Sequence, residues 1–212
     1  MLAFYYASGS CPSWRVWMCL EYRQIPYELR LLSFSERGHK QPEYLAVNPR
    51  GKVPAIVDDG FALYESVAIV EYLEDNYRDH GPSLFPGDAK HRAVIRRVVQ
   101  EAMLYFDAEA DKVVRQLGRK EKADLDVVRE ATSKMEKELA YYETLLGEGE
   151  GLVGPLSAAD FTLYPFLAYM RRFWGRFPEH SLLGSIGPKL TAWEKRIEAL
   201  PFYAKTYPPH WR

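Results

Sequence analysis

Between Gly51 and Tyr77 the chain reads GKVPAIVDDGFALYESVAIVEYLEDNY, and no other stretch constrains the fold so tightly. Val53 to Val57 is a short β-branched run, Asp58-Asp59-Gly60 is a turn and Phe61 to Tyr64 is a second short run. From Ser66 onward, apolar residues at Ile69, Val70, Leu73 and Tyr77 recur at helical spacing. The expected order is strand, turn, strand, helix. Pro54 stands at a strand start, where it cannot donate to a ladder, and the bond before it can be cis. Both isomers leave the backbone of Val53 to pair with an extended peptide added along the edge. Ser66, after Glu65, is a good N-cap, and the amides behind it attract a carboxylate. An edge-strand proline and a bare helix cap are the bland readings. Together the two features describe a groove for a small acidic peptide.

At 212 residues the chain is long enough for one large or two small domains. A net charge of -1 gives no general attraction to nucleic acid or to an anionic membrane. The longest apolar run, Leu163 to Met170, falls well short of the ~20 residues a membrane span needs. MLAFYYASGS lacks the basic and apolar regions of an export signal. Cys11 and Cys19 make neither a disulfide framework nor a C-x-x-C pair, so a reduced cytoplasmic setting is expected. The five histidines show no metal-ligand spacing.

In chain order, an apolar strand over Leu2 to Tyr6 leads through ASGSCP into a helix bearing Val16, Cys19 and Leu20. Pro12 suits the first helical position, which makes Cys11 the expected N-cap and sets Ser10 and Cys11 at a positive helix end. A strand over Tyr27 to Leu32 follows. The segment HGPSLFPGD, 80–88, reads as a linker between a first domain over 1–79 and an all-helical domain over 89–212. In the second domain, Ile95 to Leu117 keep helical spacing over about six turns, and a second long helix is expected from Asp124 to Leu146. Ser157 and Asp160 stand at capping-box spacing, with Leu156 placed to staple onto Phe161. Pro165 should kink the helix that follows.

From Asn48 to Leu73, NPRGKVPAIVDDGFALYESVAIVEYL resembles the glutathione-binding half of the cytosolic glutathione S-transferases, with Asn-Pro, Val-Pro and Glu-Ser at that family's intervals. The serine-type classes (delta, theta, tau, zeta) are the most similar. The resemblance implies an α/β plus all-α fold, a thioredoxin-like N-terminal domain followed by an all-helical one, in a homodimer. It implies glutathione as co-substrate, a hydrophobic electrophile as the second substrate, and no metal. By the same resemblance Val53 and Pro54 meet the cysteinyl backbone of glutathione, Glu65 and Ser66 its γ-glutamyl end, and His39 and Lys52 its glycyl end. Tyr105-Phe106-Asp107 is similar to a delta-class segment of the hydrophobic site, to which Met103 and Tyr169, or Trp174, can add; an aromatic stripe at this spacing also suits a core. Val67 and Gly51 depart from the delta-class pattern and point to a bacterial or otherwise divergent class.

The residue that would activate the thiol is ambiguous by one position. The Ser-Ser-Pro and Ser-Ser-Cys-x-Trp-Arg-Val patterns of two classes select Ser10; other registers select Cys11. Cys11 in that role would change the chemistry to thiol transfer through a mixed disulfide. A third reading is a binding protein that keeps the fold without catalysis.

Overall fold

The computed structural model describes residues 1–119 and 122–211. They divide into two compact units, one built from Met1–Leu84 with the tail from Leu200, the other from Phe85–Ala199.

The first unit holds a four-stranded mixed sheet in the order β2-β1-β3-β4, where β1 is Ala3–Tyr6, β2 Glu28–Leu31, β3 Ala55–Asp58 and β4 Phe61–Tyr64. β1 runs parallel to β2 and antiparallel to β3, with Tyr5 opposite Arg30 on one side and Ala55 on the other. The hairpin of β3 and β4 closes through Asp59 and Gly60, both at positive φ (46° and 91°), the backbone a two-residue hairpin turn requires. The remaining elements are helix α1, Cys11–Tyr22, the short α2, Pro42–Leu45, and α3, Ser66–Asn76. Every residue of α1 from Ser13 to Leu20 is buried, so this helix is enclosed on all sides. Two polar knots fix α3. Asp58 accepts from Tyr72 and Tyr77 hydroxyls at 2.8 and 2.7 Å, and buried Arg23 pairs with Glu74, which also takes the Leu84 N–H at 2.9 Å.

The tail does not join the helical unit as the sequence reading places it. Its last helix, α9 (Tyr203–Thr206), and the residues after it pack on α1. Trp14 donates Nε1–H to Thr206 Oγ1 at 3.0 Å, and its ring meets Tyr203, Tyr207 and Trp211 at 5.6–6.2 Å. Those aromatic residues therefore bury themselves against a buried tryptophan on α1.

The second unit is helical: α4 (Ala89–Glu101), α5 (Ala108–Leu117), α6 (Leu125–Leu145), α7 (Ala158–Trp174) and α8 (Pro188–Glu198). The expected six-turn helix is present, but its middle, Ala102–Asp107, is wound as a π-helix. Ala102, Phe106, Ala110, Val113 and Leu117 face inward through this stretch, toward a buried stripe of α6 at Val128, Ala131, Met135, Leu139 and Tyr142. Leu104 and Tyr105 are left more than half exposed. Ten successive residues of α7, Ala158 to Leu167, are buried, and the helix runs through Pro165 without ending. No helix among the described residues is long and apolar enough to cross a membrane.

Candidate active site

Two helix N-termini and one clamped loop of the first unit bring most of the predicted residues together. At α1 the cap is Ser10, not Cys11: the Ser10 side chain accepts from Ser13 N–H at 3.3 Å, Cys11 is the first helical residue and Pro12 the second. Cys11 is half-buried. The shift arises one turn upstream, where Ser10 N–H bonds to Ala7 C=O at 3.2 Å across Gly9 at φ 83°. A positive φ at the third residue of such a turn favours glycine. Ser10 therefore has its oxygen engaged as an acceptor and its hydroxyl hydrogen left to donate.

At α3 the cap is Glu65, not Ser66, and Ser66 is the first residue of the helix. Glu65 has φ 70°, ψ 109°, an unusual backbone for a residue with a side chain, and makes no side-chain cap. Its exposed carboxylate lies 3.9 Å from Arg50. Ser66 is buried, and its Oγ accepts from Arg15 Nη1 at 2.7 Å. Arg15 itself is buried in α1, one turn past Cys11, so one guanidinium ties the two helix mouths to each other. With its oxygen accepting from Arg15, the Ser66 hydroxyl also keeps its hydrogen to donate.

The loop between them is clamped from below. Lys40 donates to Gly51 C=O at 2.8 Å, and Tyr44 and Asn48 donate to Lys52 C=O at 2.5 and 2.7 Å. Burial raises the Tyr44 pKa to about 12 and keeps it a donor. Val53 follows, before a cis bond to buried Pro54, and among the described residues its backbone takes part in none of the ladder or turn hydrogen bonds of the unit. These clamps escape a reading by motif because Lys40 and Tyr44 sit in a polar loop and a one-turn helix without periodicity. Lys52 is exposed. His39 lies in a short 3₁₀ turn, its ring 5.2 Å from Phe34. Burial, aided by Lys40 and Arg37, lowers its pKa.

On the helical unit the candidates separate. Phe106 is fully buried with its ring 6.3 Å from Tyr142, and Trp174 is 1% exposed; both belong to the core. Tyr105 is 54% exposed, while Met103 and Tyr169 are half-buried.

Two family models match, the N-terminal domain of glutathione S-transferase over residues 10–76 and the C-terminal domain over 105–201. A glutathione S-transferase of Silene vulgaris is 33% identical, the match covering 91% of this chain and 90% of the relative. The chain belongs to the glutathione S-transferase family. Glutathione S-transferase A of Pleuronectes platessa is 29% identical over 97% of this chain and 91% of its own. Among solved structures, a glutathione S-transferase from the Antarctic clam Laternula elliptica matches with a TM-score of 0.80 at 30% identity, over 99% of this chain and 93% of that one. The transferase conjugates glutathione, its co-substrate, and has the fold of that family: a mixed sheet with helices followed by a helical domain.

Proposed function

We propose that the Ser10 hydroxyl donates to the sulfur of bound glutathione, holds it as the thiolate, and so prepares it to attack a hydrophobic electrophile. The observation that carries this reading is the cap at α1: the Ser10 oxygen accepts from Ser13 N–H at the helix start, and its hydroxyl hydrogen is left to donate. A charge-assisted bond of that kind, together with the positive helix end, favours the anion over the thiol. Cys11 lies one residue inside the helix and is not assigned the role.

The first unit is then the glutathione domain. Val53 backbone pairs with the cysteinyl residue, beside cis Pro54; Ser66 and the amides of α3 take the γ-glutamyl carboxylate, with Glu65 facing its amine. Lys52, with His39 donating through a ring N–H, takes the glycyl carboxylate. Met103, Tyr105 and Tyr169 are the helical unit's candidates for touching the electrophile, whose apolar character follows from theirs. A homodimer in the cytoplasm is the working state we infer, supported by family membership and by exposed Phe61 on the edge strand β4.

Ser66→Ala tests the placement of glutathione. Loss of one hydrogen bond to a carboxylate is expected to raise KM for glutathione about tenfold, or ~1.4 kcal/mol, with kcat within about twofold. Steady-state conjugation to an activated aryl chloride reads the split. An unchanged KM would move the γ-glutamyl end elsewhere.

A further inference from the structure

The turn that delivers Ser10 is held from outside by the tail. Ser8 and Gly9 are its two central residues, closed by the Ser10 N–H to Ala7 C=O bond. Nδ1 of His210 lies 3.1 Å from Ser8 Oγ. The same imidazole covers the α-carbon of Gly9 so closely that a methyl group there would stand 3.0 Å from its Cε1 and Nε2, and 3.3 Å from Trp211 Nε1. His210 thus touches both central residues of the turn, one by a hydrogen bond and the other by contact. The tail is itself fixed to α1, the helix that Ser10 caps, through the Trp14 to Thr206 bond and the edge-on packing of Trp211 against Trp14. Turn, helix and tail therefore form a closed circuit: Ala7-to-Ser10 leads into α1, α1 holds the tail through Trp14, and the tail returns through His210 to Ser8.

From this circuit we propose that His210 is a positioning residue for the Ser10 hydroxyl. It acts through Ser8 and Gly9 and touches neither substrate. A serine hydroxyl must meet sulfur within a few tenths of an ångström to stabilise the anion, and catalytic geometry of that kind depends on the groups behind it. Gly9 at φ 83° is the conformationally freest residue of the turn. The His210 ring limits that freedom at the residue immediately before Ser10.

The proposal rests on Ser10 being the thiolate donor, and the experiment separates failure of the two. Wild type, His210→Ala and His210→Asn are compared by the thiolate absorbance of bound glutathione against pH and by steady-state conjugation. Because His210 is exposed, its replacement should leave thermal stability nearly unchanged. In His210→Ala the thiol pKa should rise by about half a unit, and kcat should fall about threefold with KM for glutathione unchanged. Asparagine carries a polar atom in the place of Nδ1 and keeps the bond to Ser8 but not the ring over Gly9, so His210→Asn should restore the greater part of both. A wild-type shift that persists in His210→Ala overturns the positioning role alone, as does an asparagine variant as impaired as alanine. A wild-type protein that shows no shifted thiol overturns the Ser10 reading and this inference with it.

Discussion

Ser10→Ala is expected to lower kcat/KM for glutathione conjugation by about 10²-fold, roughly 2.7 kcal/mol of transition-state stabilisation, with the loss in the thiolate rather than in binding. The magnitude is that of removing one preorganised donor from a developing or held anion. Alanine has a second effect, since Ser10 caps α1 through its bond to Ser13 N–H, and cap removal costs about 1 kcal/mol of stability. Glycine separates the two effects. It is a nearly neutral N-cap, costing only a few tenths of a kcal/mol, and has no hydroxyl. Ser10→Gly should therefore be as inactive as Ser10→Ala while melting close to wild type. Activity that tracked stability across the pair would show that the hydroxyl serves the helix and not the thiol.

The largest expected loss of stability lies in the other unit. Asp160 is fully buried at the start of α7, and its two oxygens accept four bonds. Leu152 N–H and Trp193 Nε1–H reach Oδ1 at 2.7 and 2.8 Å; Ser157 N–H and Ser157 Oγ–H reach Oδ2 at 2.8 and 3.0 Å. Burial pushes its pKa up, and these donors oppose that shift. Asp160→Ala leaves the backbone donors of Leu152 and Ser157 and the buried indole of Trp193 without partners. At ~1–3 kcal/mol for each stranded donor, part of it recovered by relaxation, the cost is about 4 kcal/mol. That is a large share of the ~5–15 kcal/mol by which most proteins are stable. Asp160→Asn keeps the shape but aims an amide N–H at a donor, and about 2 kcal/mol is expected. Urea unfolding measures both. A loss below 1 kcal/mol for alanine would mean that the network is not fastened to the fold.

How much of this was legible in the sequence follows from how local each cause is. The hairpin, the body of the helix after it and the Ser157–Asp160 capping box are set by residues within a few positions of one another, and they stand where the sequence places them. The caps of α1 and α3 lie one residue earlier than expected. In α1 the turn closed across Gly9 decides the start, outweighing the preference of Pro12 for the first helical position. In α3, Glu65 adopts a left-handed backbone that its residue type disfavours, and no local rule foretells that. The sequence groups the tail with the helices because aromatic residues carry no address. Their partner, Trp14, lies nearly two hundred positions away. Phe106 has the composition of a substrate contact, yet it falls on the inward side of the π-helical stretch and packs the core. The clamp of Lys40, Tyr44 and Asn48 on the Gly51-Lys52 carbonyls likewise becomes visible only in three dimensions.

The account turns on which group holds the sulfur anion, and thiolate absorbance across pH 5 to 10, with and without glutathione, tests that most directly. A free thiol ionises near pH ~8.5. The account predicts new thiolate well below that pH only when glutathione is present, unchanged in Cys11→Ala and abolished in Ser10→Ala. Low-pH thiolate in the protein alone, lost in Cys11→Ala and kept in Ser10→Ala, would contradict it and assign the chemistry to Cys11.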